Sequence, residues 1–473
     1  MDMEVKHRPT AEQSACIEAV LTTQDNLMIR ALAGTGKSAT LRMADDACPI
    51  GPALYLVFNT RNAKEATKKF RPSTTVQTFN SCGHRTWMTT CARTVALNQR
   101  KTSDIFRQLL ENAGRTDAEE AWEVWDCVKD GVKKAKAVGY IPATHQRAVK
   151  RLASWDDLKA KMDEQPGPLA KEYIDAIMLE SIRQAYLGSI DFDDQCYMPA
   201  LFGGIFPRFP RIMVDEYQDL SPVQHHMISR LCRYGARQIG VGDEAQAIYA
   251  FRGAYDNGMA DAIEKFQMKV LPLSVSFRCP SAIVENVLWR VPEFRAHKTG
   301  GSVNYGGEPR DDATVICRNN APLLSMAMRL LCEGQSVDVA GVDMAERLVG
   351  QMKKLGPEEM TRGEALREID DWLLRKTEVG SKSAPDMADC MRVFVRKSPS
   401  LGAAIAYANH MFAQAGKVSF LTGHKSKGLE FQDVYHLEPT LCTDRGQDQN
   451  VHYVIDTRSL DSLTYIRTPD VST

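Results

Sequence analysis

The segment that most constrains this chain is a glycine-containing loop between an apolar run and a helical pattern. The loop, residues 31–38, reads Ala-Leu-Ala-Gly-Thr-Gly-Lys-Ser and follows the apolar run 27–31. Gly34 and Gly36 let backbone N–H groups turn toward phosphates, and the N-terminus of the following helix favours anions. Lys37 can reach the β and γ oxygens of a nucleotide. We therefore predict a phosphate-binding loop at the end of a strand.

The same loop supplies candidate ligands for ATP and its metal ion. Ser38 is predicted to bind Mg²⁺, and Ala33 and Thr35 are counted with the two glycines as nucleotide-binding residues. The first glycine of the usual pattern is replaced by Ala31. A chance loop that binds no phosphate is therefore the alternative.

An acidic pair follows another apolar run, residues 212–214. Carboxylates at the carboxyl end of a strand lie where ligands bind in open α/β sheets. We predict that Asp215 holds Mg²⁺ through water and that Glu216 orients and deprotonates the attacking water. An acidic turn after a buried strand is the alternative, but its combination with the Lys37 loop favours nucleotide hydrolysis.

Short apolar runs alternate with helical patterns along the chain, which predicts parallel sheets in an α/β fold. The runs form two sets, so we predict two parallel-sheet domains with helical insertions. The first set is 27–31, 53–58, 212–214 and 239–241, and the second is 314–317, 337–340, 418–421, 434–437 and 463–466. The predicted segments are 1–86 and 188–278 for the first domain, 87–187 for its helical insertion, 279–342 and 417–473 for the second domain, and 343–416 for a shorter insertion.

Composition limits the other possibilities. Lys and Arg number 59 against 60 Asp and Glu, so a nucleic-acid site must be a local groove rather than a basic surface. The twelve cysteines include no CxxC pair, which predicts reduced and mostly buried thiols. No apolar run approaches the roughly 20 residues of a membrane span. We therefore expect a cytoplasmic protein without a membrane partner.

Further motifs occur in the order found in one group of DNA helicases. They are residues 10–13, 56–66, 76–81, 190–194, 241–254, 276–279, 422–431 and 451–458. Together they resemble the UvrD/Rep-type superfamily 1 DNA helicases, and within these the smaller branch that includes the F-box DNA helicase. The resemblance covers nearly the whole chain and implies two RecA-like motor domains that hydrolyse ATP in the cleft between them.

The resemblance also implies roles for individual nucleotide-site residues. Gln13 would hydrogen-bond adenine, Phe277 would stack on it, and Glu430 would hold the ribose hydroxyl beside Gly428. Gln246 would sense the γ-phosphate. Arg278 and Arg458 would be arginine fingers that neutralise charge in the transition state. For each residue taken singly, a surface salt bridge or a core position is the alternative.

A motor that steps along any sequence needs phosphate contacts and base stacking. The resemblance implies a track for single-stranded DNA. Phe58, Tyr249 and Phe251 would stack on bases, and Arg252 and His424 would bind phosphates. Asn59 and Ser81 would support these contacts. Asn80 stands where the family often has histidine. For Phe251 the alternative is a buried core residue.

A cationic stretch in the first insertion has two interpretations. It could contact duplex ahead of the motor, or it could be a solvated helix face. Its members are Lys129, Lys133, Lys134, Lys136, Arg147, Lys150 and Arg151.

The function that this resemblance implies is an ATP-dependent, 3′-to-5′ DNA helicase or translocase that acts as a monomer on single-stranded DNA and single-strand/duplex junctions. Replication or repair proteins are the further candidate partners. Three alternatives stay open: a translocase that strips bound protein without unwinding, a small-molecule kinase with the same phosphate loop, and an RNA track.

Overall fold

The computed structural model describes residues 8–48, 51–114, 119–145, 149–255, 257–339, 342–413, 415–444 and 446–468. The chain divides into two compact units, Met1–Ser274 and Val275–Thr473. Each unit contains a six-stranded sheet whose paired strands are parallel. The predicted α/β class with two parallel-sheet domains is therefore confirmed. The boundaries of the subdomains and insertions remain predictions.

The first unit has eight strands in its described residues. They are β1 (Leu27–Ala31), β2 (Ala53–Val57), β3 (Thr74–Thr78), β4 (Ala96–Leu97), β5 (Ser189–Ile190), β6 (Arg211–Val214), β7 (Arg237–Gly242) and β8 (Lys269–Leu273). The main sheet has the order β3-β2-β6-β7-β1-β8, and β4 pairs with β5 separately. Since β6, β7 and β1 are parallel neighbours, the loops after them emerge at one edge of the sheet.

Twelve helices surround these strands in the described residues. They are α1 (Ala11–Thr22), α2 (Lys37–Ala47), α3 (Thr60–Lys69), α4 (Phe79–Cys91), α5 (Lys101–Asn112), α6 (Glu119–Glu123), α7 (Trp125–Val138), α8 (Trp155–Lys161), α9 (Pro168–Tyr186), α10 (Asp194–Leu201), α11 (Pro222–Leu231) and α12 (Gly258–Lys265). Helix α1 begins with a capping box, in which Thr10 and Gln13 each accept the other's backbone N–H.

Side chains alternate between two cores along the strands of the first sheet. Leu27 and Ile29 belong to one buried cluster, whereas Met28 between them belongs to another. This is the two-residue period of a strand that is covered on both faces. The Met28 cluster continues into the helices between β3 and β6, so that helical region shares its core with one face of the sheet.

The second unit repeats the pattern with strands β9 (Val275–Pro280), β10 (Arg295–Lys298), β11 (Ser302–Tyr305), β12 (Thr314–Cys317), β13 (Val337–Val339), β14 (Val418–Thr422), β15 (Phe431–Leu437) and β16 (Ser459–Ile466). Its sheet order is β11-β16-β15-β12-β14-β13, and β9 pairs with β10. The predicted run 337–340 corresponds to β13, although Ala340 lies outside the described residues.

The helices of the second unit are α13 (Ser281–Asn286), α14 (Asn320–Cys332), α15 (Val342–Lys353), α16 (Arg362–Glu378), α17 (Ala384–Arg396), α18 (Leu401–Phe412), α19 (Gly423–Ser426) and α20 (Asp448–Asp456). Four of them, α15 to α18, lie between β13 and β14 and pack around one apolar cluster. Nine of the chain's twelve cysteines are buried, as predicted. Within the described ranges no helix is long and apolar enough to cross a membrane.

Candidate nucleotide and nucleic-acid sites

The phosphate loop joins β1 to α2. Gly34 and Gly36 have φ angles of 70° and 80°, in the left-handed region that favours glycine. Gly36 is the N-cap of α2 and provides no side-chain cap. The first backbone N–H groups of the helix therefore point beyond its N-terminus, where they can bind an anion. The Thr35 hydroxyl donates to Leu32 O at 2.9 Å and is buried. Ala33 is also buried. This loop has the geometry of an anion site.

The acidic pair after β6 lies beside this loop. Asp215 Oδ2 is 3.3 Å from the hydroxyl oxygen of Ser38. Lys37 Nζ lies 3.5 Å from Glu216 Oε2. The strand order β6-β7-β1 places the carboxyl ends of β6 and β1 at the same edge, two strands apart. The structure thus brings four predicted site residues together.

Asp215 has an environment that the sequence did not reveal. The carboxylate is buried, and burial together with the charge of Glu216 raises its pKa to about 6. The Tyr55 hydroxyl donates to Asp215 Oδ2 at 2.8 Å, which opposes that rise. Tyr55 is itself buried in the middle of β2 and looks like a core aromatic in the sequence. Sequence reasoning therefore missed it.

Glu216 occupies a strained backbone position, with φ of 47° although it is not glycine. A left-handed conformation costs a non-glycine residue about 1–2 kcal/mol, and such outliers are common where function requires them. Gln218, another residue that sequence reasoning missed, donates from Nε2 to Glu216 Oε2 at 2.6 Å. This contact fixes the direction of the carboxylate.

Gln218 also connects Glu216 to the segment after β7. Its Oε1 accepts the backbone N–H of Asp243 at 3.0 Å. Asp243 in turn accepts a hydrogen bond from Gln246 Nε2 at 2.6 Å, and burial raises the pKa of Asp243. Gln246 therefore belongs to a hydrogen-bonded series that ends at Glu216.

Gln13 contacts α2, the helix that follows the phosphate loop. Its Nε2 donates to Thr40 Oγ1 at 3.2 Å, and its side-chain oxygen caps α1 through Thr10. The glutamine is 5% exposed. The structure thus places it against α2, and its role toward adenine stays a prediction.

Four of the predicted track residues form one aromatic and cationic cluster in the first unit. The rings of Phe58 and Tyr249 are stacked with centroids 5.9 Å apart, and Phe251 lies 6.2 Å from Tyr249. The Arg252 guanidinium is 5.1 Å from the Tyr249 centroid and 5.5 Å from that of Phe251. Phe251 is 52% exposed, so it is not a core residue.

The other predicted track residues of this unit begin helices. Asn59 is the N-cap of α3, and Ser81 donates its backbone N–H to Thr78 in the first turn of α4. Asn80 donates from Nδ2 to the carbonyl of Phe192 at 2.8 Å. Phe192, which sequence reasoning did not select, is 60% exposed. The one sequence feature that could have indicated Phe192 is its position as an aromatic residue among the aspartates of 190–194.

Three of the predicted site residues of the second unit, Arg278, Glu430 and Arg458, lie close to one another. Arg278 Nε donates to Glu430 Oε1 at 2.7 Å, and its Nη1 lies 3.3 Å from Thr457 O. Arg458 is buried and donates from Nε to Val454 O at 2.8 Å. Burial, reinforced by the charge of Arg278, lowers the pKa of Arg458 to about 9. To act as an arginine finger, Arg458 would have to break its hydrogen bond to Val454 O.

The remaining predicted residues of this unit are Phe277 in β9, and His424 and Gly428 between β14 and β15. The ring of Phe277 is 4.9 Å from that of His297. His424 belongs to α19, and Gly428 follows it with φ of 84°. Their predicted contacts with adenine, nucleotide and DNA phosphate stay predictions.

The cationic stretch does not form one surface. Lys136 is 2% exposed, and its Nζ lies 2.5 Å from Asp191 and 2.8 Å from Asp194. Lys134 is buried as well and pairs with Asp130 at 2.9 Å. Both interpretations are therefore wrong for these two lysines, because their positions on α7 are buried.

The other members of that stretch differ from one another. Lys129, Lys133, Lys150 and Arg151 are exposed, and Arg151 also donates to the carbonyl of Ile141 at 3.1 Å. Arg147 lies outside the described residues.

Comparison with known proteins identifies the family. Residues 11–267, more than half of the chain, match the family model described as UvrD/REP helicase N-terminal domain. The chain belongs to the UvrD/REP helicase family. That segment contains the phosphate loop, the acidic pair and the Phe58–Arg252 cluster.

Individual relatives are similar over shorter segments. The ATP-dependent DNA helicase Rep of Escherichia coli is 29% identical over 143 residues, which cover 28% of this chain and 21% of that protein. The ATP-dependent DNA helicase UvrD1 of Mycobacterium leprae is 23% identical over 272 residues, covering 52% of this chain and 34% of the relative. The alignments thus span a minority of each relative's length.

One solved structure, an arterivirus nonstructural protein 10 helicase, aligns with 98% of this chain and 62% of its own at 13% identity. Its TM-score of 0.36 is too low to add to the family assignment.

Proposed function

We propose that this UvrD/REP family member is an ATP-driven motor that moves 3′ to 5′ on single-stranded DNA and unwinds duplex ahead of it. The observation that carries the proposal is the meeting of Lys37, Ser38, Asp215 and Glu216 at one sheet edge. Cation, hydroxyl and two carboxylates in this arrangement match the requirements of phosphoryl transfer to water.

Each of the four side chains has a task in ATP hydrolysis. Lys37 would bind the β and γ oxygens, and Glu216 would take a proton from the attacking water. Ser38 Oγ and Asp215 Oδ2, which are 3.3 Å apart, are oxygen ligands of the type that Mg²⁺ prefers. Bound there, Mg²⁺ would neutralise charge that develops on the phosphate oxygens.

The link from hydrolysis to movement would run through one segment. Gln246 reaches Glu216 through Asp243 and Gln218, and Tyr249, Phe251 and Arg252 follow a few residues later. A change at the γ-phosphate that moves Gln246 would therefore move the aromatic cluster. Bases would stack on these rings, and Arg252 would meet a phosphate.

The second unit would contribute Arg278, Arg458, Glu430, Phe277 and His424 in the roles that the resemblance implies. The 3′-to-5′ polarity, the placement in the branch of the F-box DNA helicase and a role in replication, repair or recombination also rest on the resemblance. Action as a monomer is part of the same proposal.

The test measures ATPase activity and strand separation on one preparation. Turnover is measured without nucleic acid, with single-stranded DNA and with RNA of the same sequence, and unwinding is measured on duplexes with a 3′ or a 5′ tail. We expect stimulation by DNA and unwinding only from the 3′ tail. The Lys37→Ala variant should lose both activities because the charge facing the phosphates is gone.

Each alternative gives a different result in this test. DNA-stimulated ATPase with displacement of bound streptavidin but no unwinding would indicate a protein-stripping translocase. Turnover that ignores every nucleic acid would favour a small-molecule kinase. Preferential stimulation by RNA would reassign the track, and full DNA-stimulated turnover by Lys37→Ala would refute the site itself.

A further inference from the structure

A cavity of about 760 Å³ lies in the second unit at the carboxyl end of its sheet. Its walls include Tyr305 at the end of β11, Tyr465 near the end of β16 and Pro439 just after β15. Ligands of open α/β sheets bind outside the carboxyl ends of strands. Arg458, in contrast, precedes β16, so the eight residues of that strand, roughly 25 Å, separate the two places. The cavity is thus distinct from the predicted nucleotide residues.

Aromatic rings dominate this cavity. Tyr305 stacks with Tyr465 at a centroid distance of 5.4 Å and an angle of 27°, and Trp289 lies 5.4 Å from the ring of His452. Trp289 is 49% exposed and Tyr305 is 78% exposed. Apolar surface of this kind is unfavourable in water unless a ligand covers it. A flat ring would cover it best, since aromatic faces prefer offset stacking.

The buried carboxylate of Asp456 holds the rings of Tyr465 and His452 in position. Tyr465 donates its hydroxyl to Asp456 Oδ2 at 2.6 Å, and Asn286 donates to the Tyr465 oxygen at 2.7 Å. His452 Nε2 is 3.3 Å from the same carboxylate, which is completely buried. The imidazole and carboxylate groups thus satisfy one another and act as support. A ligand would bind without paying to order Tyr465 and His452.

The polar side chains at the cavity indicate which hydrogen-bonding and charged groups a flat ligand should have. Arg467 is an exposed cation, and the Glu308 carboxylate is paired with Arg329 and still lines the cavity. A carboxylate accepts hydrogen bonds from ring N–H or exocyclic amino groups, whereas a guanidinium pairs with phosphate. The cavity thus offers a stacking surface and a hydrogen-bond acceptor for a base and a cation for a phosphate, which are the groups that bind a nucleotide. The volume is also within the range of small-molecule sites.

We propose that this aromatic cavity binds a nucleobase together with its phosphate, at a site separate from the phosphate loop. The base can come from a free nucleotide or from a nucleotide unit of single-stranded DNA, because both present the same ring and phosphate. The site is independent of ATP hydrolysis, and so is its test.

The experiment is photocrosslinking with 5-iodouracil in the absence of ATP. One arm uses free 5-iodo-2′-deoxyuridine monophosphate, and the other uses oligothymidylate with one 5-iodouracil. Crosslinked peptides are identified by mass spectrometry over a range of probe concentrations. We expect labelling at Trp289, Tyr305 or Tyr465 in at least one arm. Labelling by the mononucleotide would identify the source as free nucleotide, and labelling by the oligonucleotide alone would identify it as the strand.

Two substitutions of exposed rings test the assignment without disturbing the core. Trp289→Ala and Tyr305→Ala should each raise the half-saturating probe concentration at the cavity about 5- to 150-fold, the equivalent of losing one base–aromatic stack. Tyr234→Ala removes a ring that is 64% exposed in the other unit and should change nothing. Melting curves confirm that the variants are folded. Crosslinks confined to other segments, or cavity crosslinks that both variants retain at full affinity, would overturn the proposal.

Discussion

A buried group of charges holds residues 190–194 against the helices of the first unit. Lys101 Nζ is 2.6 Å from Asp194 Oδ2 and 2.7 Å from Ser181 O, with no exposed surface. Lys136 Nζ lies between Asp191 and Asp194. Asp194 also accepts the backbone N–H of Asp191 at 3.0 Å. Two ammonium groups thus depend on two carboxylates, of which Asp194 is 1% exposed and Asp191 is 8% exposed.

Asp194→Asn keeps the size of the side chain and removes its charge. Lys101 then loses its carboxylate partner, whereas Lys136 keeps Asp191. Removing one partner of a buried ion pair costs about 3–5 kcal/mol, because the remaining charge stays desolvated. We expect this loss in the free energy of unfolding of the first unit. It corresponds to a fall in melting temperature of roughly 6–20 °C for a domain of about this size.

Urea and thermal unfolding followed by circular dichroism measure this loss. The matched control is Asp126→Asn, because Asp126 pairs with Lys129 at 3.4 Å with both side chains more than half exposed. The control should lose less than about 0.5 kcal/mol. A loss below about 1 kcal/mol in Asp194→Asn, equal to that of the control, would refute the view that these charges depend on each other.

The pH dependence of stability provides a second test with the same variant. Burial opposes ionisation of Asp194, but Lys136 and Lys101 outweigh it and lower its pKa in the folded state. The stability that it contributes is therefore present above its unfolded pKa and is lost as pH falls through the folded pKa. Asp194→Asn should show a shallower loss of stability in acid than the unchanged protein.

Three further predictions concern the proposed motor. Tyr55→Phe removes the 2.8 Å hydrogen bond to Asp215 and should raise the Mg²⁺ concentration for half-maximal ATPase about tenfold or more, whereas an unchanged Mg²⁺ dependence would show that Tyr55 does not position the carboxylate. Glu216→Gln should retain ATP and DNA binding while turnover falls about 10²- to 10⁴-fold; near-normal turnover would mean that another residue activates water. Phe251→Ala should unwind poorly with appreciable DNA-stimulated ATPase and little change in melting temperature, since the ring is half exposed; an unchanged unwinding rate would remove it from the track.

The sequence was sufficient to place short segments whose structure is set locally. The loop 31–38 and the pair Asp215–Glu216 are short segments whose glycines, cation and carboxylates have few other uses, and the apolar runs before them are interior strands. In the two six-stranded sheets, the strands that the sequence did not reveal are β3, β8 and β11; the short pairs β4–β5 and β9–β10 were not predicted either. β3, β8 and β11 lie at the edges of their sheets, where one side of the strand has no partner and polar residues are tolerated.

Tertiary structure alone decided which distant side chains meet. Tyr55 and Asp215 are 160 residues apart and touch because β2 and β6 are neighbours in the sheet. Lys136 has the same charge as Lys129 on the same helix, yet one is buried between aspartates and the other is exposed. Composition and periodicity describe one segment at a time, whereas a hydrogen bond or an ion pair depends on the packing of both segments.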